Sequence, residues 1–221
     1  MTAITWPREL VDPAIAAAPT GAAAPAGLPA FAETLLTTAW AQSSVRTFAA
    51  TTNLGIASTR IAVVGAGALG AALARLLRTA GARVVVHSDD PRELVAFAVD
   101  GFDTASTFAL AADTGAAFVT GEASRALRTG DVPSGAHGTL VVVDAGPAAP
   151  ATDLRTTAAP VRAGLAQIDG AQAVVLDVRS NEDGAYARTV ASLGRAWESA
   201  RTAHPDQPLA AESAFAEAVI A

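Results

Sequence analysis

Arg60-Ile-Ala-Val-Val-Gly65-Ala-Gly67-Ala-Leu-Gly70 reads as a buried strand, a glycine turn and the start of a helix, in that order. Ile61 to Val64 is a short apolar run of the kind that sits inside a parallel sheet. Gly65 suits a tight turn, Gly67 lets the backbone approach a pyrophosphate, and Gly70 lets the helix pack closely on the strand. The helix continues through Ala71, Leu73, Ala74, Leu76 and Leu77, and the free N–H groups of its first turn, at Ala68 and Leu69, face the anion position. A second strand follows in Gly81-Ala-Arg-Val-Val-Val-His-Ser-Asp89-Asp90-Pro91. Its acids fall about 20 residues past the glycines, where the ribose is held in dinucleotide-binding folds. The pattern predicts a dinucleotide site; the competing reading is a Rossmann domain that holds no nucleotide.

Composition narrows the function classes. With 221 residues, 51% of them hydrophobic, the chain can bury a substantial core. It contains no cysteine, so disulfides, thiolate metal sites and cysteine nucleophiles are excluded. All 15 basic residues are arginine. A lysine base, a Schiff base and a phosphate-gripping lysine are therefore impossible within this polypeptide. A net charge of −6 argues against a nucleic-acid surface, which needs clustered cations. No run approaches the ~18 apolar residues of a membrane span. The apolar stretch from Ala14 to Ala26 is broken by Pro19 and Pro25 and lacks a basic start, so it makes a poor signal peptide. The expected compartment is the cytoplasm.

Three regions are expected: an Ala/Pro-rich lead-in and helix over 1–58, a dinucleotide-binding domain over 59–155, and a closing helix-strand-helix segment over 156–221. The lead-in, Met1 to Pro29, includes a short helical possibility at Glu9 to Ala18. Phe31 to Thr51 reads as a helix, and Pro91 opens another that runs to Val99 and stops at Gly101. Phe102 to Thr104 is a short strand. Ala116 to Thr120 and Thr139 to Asp144 are two more buried strands, and short helices are expected at Thr107 to Ala112 and Ser124 to Arg128. Ala145 to Ala159 reads as a loop, Ala159 to Gln167 as a helix, and Ala171 to Val178 as a last strand. Tyr186 to Ala203 and Leu209 to Ile220 complete the chain as helices. Alternation at this spacing predicts an α/β fold: a doubly wound, Rossmann-like parallel sheet with helices on both faces and helical N- and C-terminal attachments.

From Ala41 to Asp153 the chain resembles the NAD-binding domain of the adenosylhomocysteinase (S-adenosylhomocysteine hydrolase) family. The resemblance is carried in order by Gln42-Ser43 and Thr52-Asn53, by Gly81 to Val86 with Asp90-Pro91, by Val95 to Phe102, and by Phe118-Val119-Thr120 and Val141 to Gly146. It implies NAD as cofactor. The departures concern the chemistry. Ser88 stands where the family has its ribose-binding acid, so NADP is also possible, with Arg92 as a helper for its 2′-phosphate. Asp89 and Asp90 would repel that phosphate and favour NAD. Pro147 stands where the family has a histidine, and the family's substrate-site lysine and aspartate and its lysine/tyrosine C-terminal tail have no counterpart. Relative to the family, the substrate domain is reduced to the first 58 residues. The resemblance is to the cofactor half of the enzyme, without self-sufficient hydrolase chemistry.

The expected cofactor-binding residues are Gly65, Gly67, Ala68, Leu69, Gly70, Ser88, Asp89, Thr120, Gly121, Ala145 and Gly146. Thr120-Gly121 and Ala145-Gly146 end strands at the carboxyl edge, where a nicotinamide ribose would lie; the simpler reading is two loops that turn the chain. Asp144 and Asp177 end strands at the same edge, as candidate general bases or, more commonly, as loop caps. No catalytic set can be assigned. His87 lies near the adenine end, His137 in a turn and His204 at a helix end, and three scattered histidines predict no metal site. Two functions lead, an NAD-binding protein or a small NAD(P)-dependent oxidoreductase, and a weaker third is an adenosylhomocysteinase completed by another chain. Leu176-Asp177-Val178 before Glu182-Asp183 has a faint likeness to 2-hydroxyacid dehydrogenases, whose catalytic Arg, Glu and His have no match here. With only 16% charged residues and long Ala-rich segments, a homodimer is expected.

Overall fold

The computed structural model describes residues 28–134, 138–147, 150–154, 156–162, 164–181 and 184–220. The helix expected at Glu9 to Ala18, most of the lead-in, and His137 lie outside the described residues. The chain divides into two compact units, one of residues 40–182 and one drawn from both flanks.

The larger unit is built on one sheet. Its strands are β1 (Arg60–Val64), β2 (Arg83–His87), β3 (Asp103–Ala105), β4 (Ala116–Val119), β6 (Leu140–Asp144), β8 (Thr156–Arg162), β9 (Leu165–Ile168) and β10 (Ala173–Asp177). Across the sheet the order is β3-β2-β1-β4-β6-β10-β9-β8. The pairs from β3 to β10 are all parallel, and β9 and β8 add an antiparallel pair at one edge. Two-residue strands β5 (Leu127–Arg128) and β7 (Thr152–Asp153) pair separately. The order reverses direction at β1, whose two neighbours are reached by separate crossovers, so the crevice of a doubly wound sheet opens between the carboxyl ends of β1 and β4. Central strands β4 and β6 are buried along their whole length, which explains the apolar runs Ala116–Val119 and Leu140–Val143.

Helix α1 (Ala30–Thr52) contributes its second half to this unit, and Phe48 meets Phe118 of β4 edge-on at 5.4 Å. Helix α2 (Ala68–Thr79) buries Leu69, Leu73 and Leu77, one turn or two apart. Helix α3 (Pro91–Val99) starts with proline at its first position, as the sequence leads one to expect, and Asp90 is its N-cap.

The opposite face departs from expectation. Phe108, Leu110, Leu127 and Val132 cover Ala62, Val64, Ala117, Val119 and Val142 there. They come from an irregular stretch, β5 and a 3-10 turn at Thr129–Asp131, not from helices at Thr107 to Ala112 and Ser124 to Arg128. Arg125 and Asp131 explain the difference. The guanidinium donates two hydrogen bonds to the carboxylate (2.7 and 2.8 Å) and lies 4.4 Å over the Phe108 ring, while Asp131 also accepts from the Arg128 amide. The Arg125 hydrogen bonds are the main reason the Asp131 pKa is lowered. The helix expected at Ala159 to Gln167 is instead the β8–β9 hairpin, turned at Gly164 (φ +66°), and the loop expected over 145–159 holds β7 and the start of β8. Backbone pairing with β10 overrides the weak helical preference of this Ala-rich stretch.

In the smaller unit, α5 (Ala185–Ala203) and α6 (Pro208–Ile220) enclose Val190, Leu193, Trp197, Ala200, Ala211 and Phe215 with Ala32 and Leu36. Trp197 stands edge-on to Phe215 at 5.6 Å, and His204 is the C-cap of α5. Among the described residues no helix is long and apolar enough to cross a membrane, and no three His, Asp or Glu side chains gather as a metal ion would need.

Candidate functional site

The glycine turn sits at the carboxyl end of β1, at the reversal of the strand order. Gly65 has φ +110°, and its N–H donates to the carbonyl of His87 at 3.0 Å, tying the turn to β2. A Cβ on Gly70 would collide with the Gly65 carbonyl oxygen and lie 3.0 Å from its carbon. The first turn of α2 is thus pressed against the end of β1. Close helix–strand packing is the role the spacing assigns to this third glycine.

The amides of Leu69 and Gly70 converge on one acceptor. They donate to Oε1 and Oε2 of Glu122 at 2.9 and 2.8 Å. Glu122 comes from the loop after β4 and lies against Gly67, where a Cβ would stand 2.6 Å from its carboxyl carbon. These amides are free donors of a helix start, and an anion is their natural complement. The same loop is anchored below by Thr120, which donates through Oγ1 to the Val64 carbonyl (3.2 Å) and accepts from the Glu122 amide (3.2 Å). Gly121 is exposed at the loop's start.

At the end of β2, Ser88 is buried and donates to Glu93 Oε2 at 2.6 Å, while its Oγ accepts from the Asp90 amide. Asp89 is exposed and accepts a hydrogen bond from Ser124 Oγ, again from the loop after β4. Asp90 caps α3 and is gripped by Arg92 through Nε and Nη2 at 2.5 to 3.0 Å. That grip, with the Arg92 amide, holds the Asp90 pKa down to about 2. Arg92 is therefore already committed to a carboxylate. His87 is buried, its Nδ1 2.7 Å from the Thr107 carbonyl; burial, opposed by that hydrogen bond, lowers its pKa.

The far end of the crevice is filled by structure. Asp144 is buried and accepts from the amides of Ala151 (3.0 and 3.1 Å) and Gly146 (3.4 Å) and from Thr152 Oγ1 (3.1 Å). Arg179 lies 3.6 Å from Asp144 and donates to the Gly146 carbonyl at 3.0 Å. Asp177 accepts from the Arg179 amide and Ser180 Oγ, capping α4 (Val178–Asn181). Ala145 and Gly146 are both buried, and the Ala145 carbonyl accepts from Trp40 Nε1 at 2.7 Å. Both strand-end aspartates therefore act as loop caps here.

The structure brings Gly65, Gly67, Ala68, Leu69, Gly70, Thr120 and Gly121 together around the β1–β4 crevice, with Ser88 and Asp89 on its β2 side. Sequence reading missed Glu122, Ser124 and Glu93. Only the position of Glu122 and Ser124 just past a strand at the crevice gave any signal.

A parallel sheet reversing at β1, with a glycine turn and helix start facing the reversal, defines a Rossmann-type α/β domain. Among solved structures, the chain is similar to a dipicolinate synthase from Bacillus halodurans, at 18% identity and TM-score 0.50 over 72% of this chain and 53% of that one. It is similar to an L-alanine dehydrogenase at 14% identity and TM-score 0.50, over 84% of this chain and 58% of that one. A transhydrogenase from Sinorhizobium meliloti aligns at 15% identity and TM-score 0.51, over 80% of this chain and 59% of that one. The likeness is one of fold, and the chain spans little more than half the length of each. No family model and no curated protein matches it.

Proposed function

We propose that this chain is a dinucleotide-binding domain that takes NAD in preference to NADP. One observation carries the reading: the Leu69 and Gly70 amides converge on an anion at the β1–β4 crevice, beside a Gly67 surface that a Cβ would close. The diphosphate would sit on these amides and on Ala68, against Gly65 and Gly67. The adenosine ribose would lie by Ser88 and Asp89. A 2′-phosphate there would meet Asp89, Asp90 and Glu93, while two arginines of this region are already paired, Arg92 with Asp90 and Arg125, which interacts with Asp89, with Asp131. Like charge, with Arg92 and Arg125 both engaged by carboxylates, favours the unphosphorylated ribose.

The resemblance to the adenosylhomocysteinase cofactor domain fits this reading and adds no hydrolase, since Asp144 and Asp177 are occupied as caps and no lysine exists. The second reading is a small NAD(P)-dependent oxidoreductase. It is supported by the shared fold of proteins that include an L-alanine dehydrogenase and a transhydrogenase. Bound NAD would supply hydride chemistry, and a second chain would have to move the proton. Titration calorimetry with NAD, NADH, NADP and NADPH tests the proposal, with the unphosphorylated pair expected to bind more tightly. Asp89→Ala should narrow the gap, and tighter NADP binding would reverse the assignment. Turnover of S-adenosylhomocysteine by the purified chain would restore the hydrolase.

A further inference from the structure

We infer that the loop after β4 is an internal stand-in for the dinucleotide, so that binding requires this loop to leave. The inference rests on the proposed dinucleotide site and concerns its regulation. Glu122 places a carboxylate on the two helix-start amides that would hold a diphosphate, and fills the surface left open by Gly67. Two residues further on, Ser124 donates to Asp89, the acid that would otherwise receive the ribose hydroxyls. One short loop thus occupies both positions that an adenosine diphosphate would take. A carboxylate and a diphosphate cannot share two amides. Their charges repel, and each amide has one proton to donate. Closed loop and bound nucleotide are therefore exclusive states, and the apparent affinity is the intrinsic one reduced by the open fraction.

The loop is held over the crevice by contacts that can be removed singly. Glu122→Ala removes the anion and its two charge-assisted hydrogen bonds. Glu122→Gln keeps the shape and loses the charge. Ser124→Ala releases only the ribose end. Calorimetry on the 221-residue chain should show NAD binding tightened about tenfold or more in Glu122→Ala, as expected for the loss of a charged competitor. Glu122→Gln should fall between, and Ser124→Ala should gain less. Hydrogen exchange supplies a readout without ligand. The Leu69 and Gly70 amides should exchange slowly in the parent and faster in Glu122→Ala, and NAD should slow them again in that variant.

Equal NAD affinity in parent and Glu122→Ala would overturn the stand-in while leaving the dinucleotide site intact. So would weaker binding in Glu122→Ala, with the fold intact by circular dichroism, since it would make Glu122 part of the bound state. Failure of parent, Glu122→Ala and Glu122→Gln alike to bind any of NAD, NADH, NADP or NADPH would overturn the dinucleotide site itself, and the stand-in with it.

Discussion

Gly70→Ala and Gly67→Ala, three residues apart in one turn, should differ sharply. At Gly70 the added methyl would collide with the Gly65 carbonyl oxygen and sit 3.0 Å from its carbon, so backbone must move against backbone. Forcing atoms into such contact costs about 1–3 kcal/mol, sometimes more, and a rigid obstacle belongs at the upper end. Alanine's better helix propensity returns about 1 kcal/mol in a helix interior and less in a first turn. The expected net loss is about 2–3 kcal/mol, a fall in Tm of about 5–10 °C for a chain of this length. At Gly67 the obstacle is the end of the flexible Glu122 side chain, and the backbone is at φ −78°, where any L-residue fits. Substituting an N-cap glycine by alanine costs less than about 1 kcal/mol. Thermal melting followed by circular dichroism compares the two variants directly. Equal losses, or a larger loss at Gly67, would refute the assignment of close packing to Gly70 alone.

Three further outcomes follow from the geometry. Burial lowers the His87 pKa below its ordinary 6.5, so the unfolded chain binds a proton that the folded chain resists. Stability should therefore fall as pH drops below about 6.5 and level off below the folded pKa, and urea unfolding at about pH 8 and about pH 5 should show a smaller difference in His87→Asn. Asp144→Ala would strand the Ala151 amide, while Arg179 keeps its ion pair with Asp177 at 3.1 Å, so the cost is about 1–3 kcal/mol, with Asp144→Asn costing less; a loss under about 0.5 kcal/mol in urea titration would refute its capping role. Val95 and Val99, one turn apart on α3, are 61% and 82% exposed, and they would give an apolar face to the homodimer expected from the sequence. Light scattering should show Val95→Glu with Val99→Glu shifting the chain toward 22.0 kDa.

The strands that place the site were legible because they are buried on both faces, leaving Ile61–Val64, Val84–Val86, Ala116–Val119 and Leu140–Val143 as nearly pure apolar runs. The turn after β1 was legible because glycine spacing reports close approach directly. What failed was the covering of the second face. Residues 107–112 and 159–167 carry three alanines each, 124–128 is only five residues long, and all are weak in periodicity, so pairings with residues outside each segment decided them: Arg125 with Asp131 and Phe108, and β9 with β10. Glu122 was illegible for a related reason. Its carboxylate meets amides 53 and 52 residues earlier in the chain, and nothing local at position 122 announces that contact.

The two ends of the sheet set limits on how copies of this chain can associate. One end is β3, only three residues long, opening on the exposed Asp103. The other is β8, whose pairing with β9 slips register on both sides of Pro160, a residue with no N–H to offer a neighbour. A short charged margin and an irregularly paired, proline-containing one both resist the addition of a further strand. Ribbons growing edge to edge are thereby disfavoured.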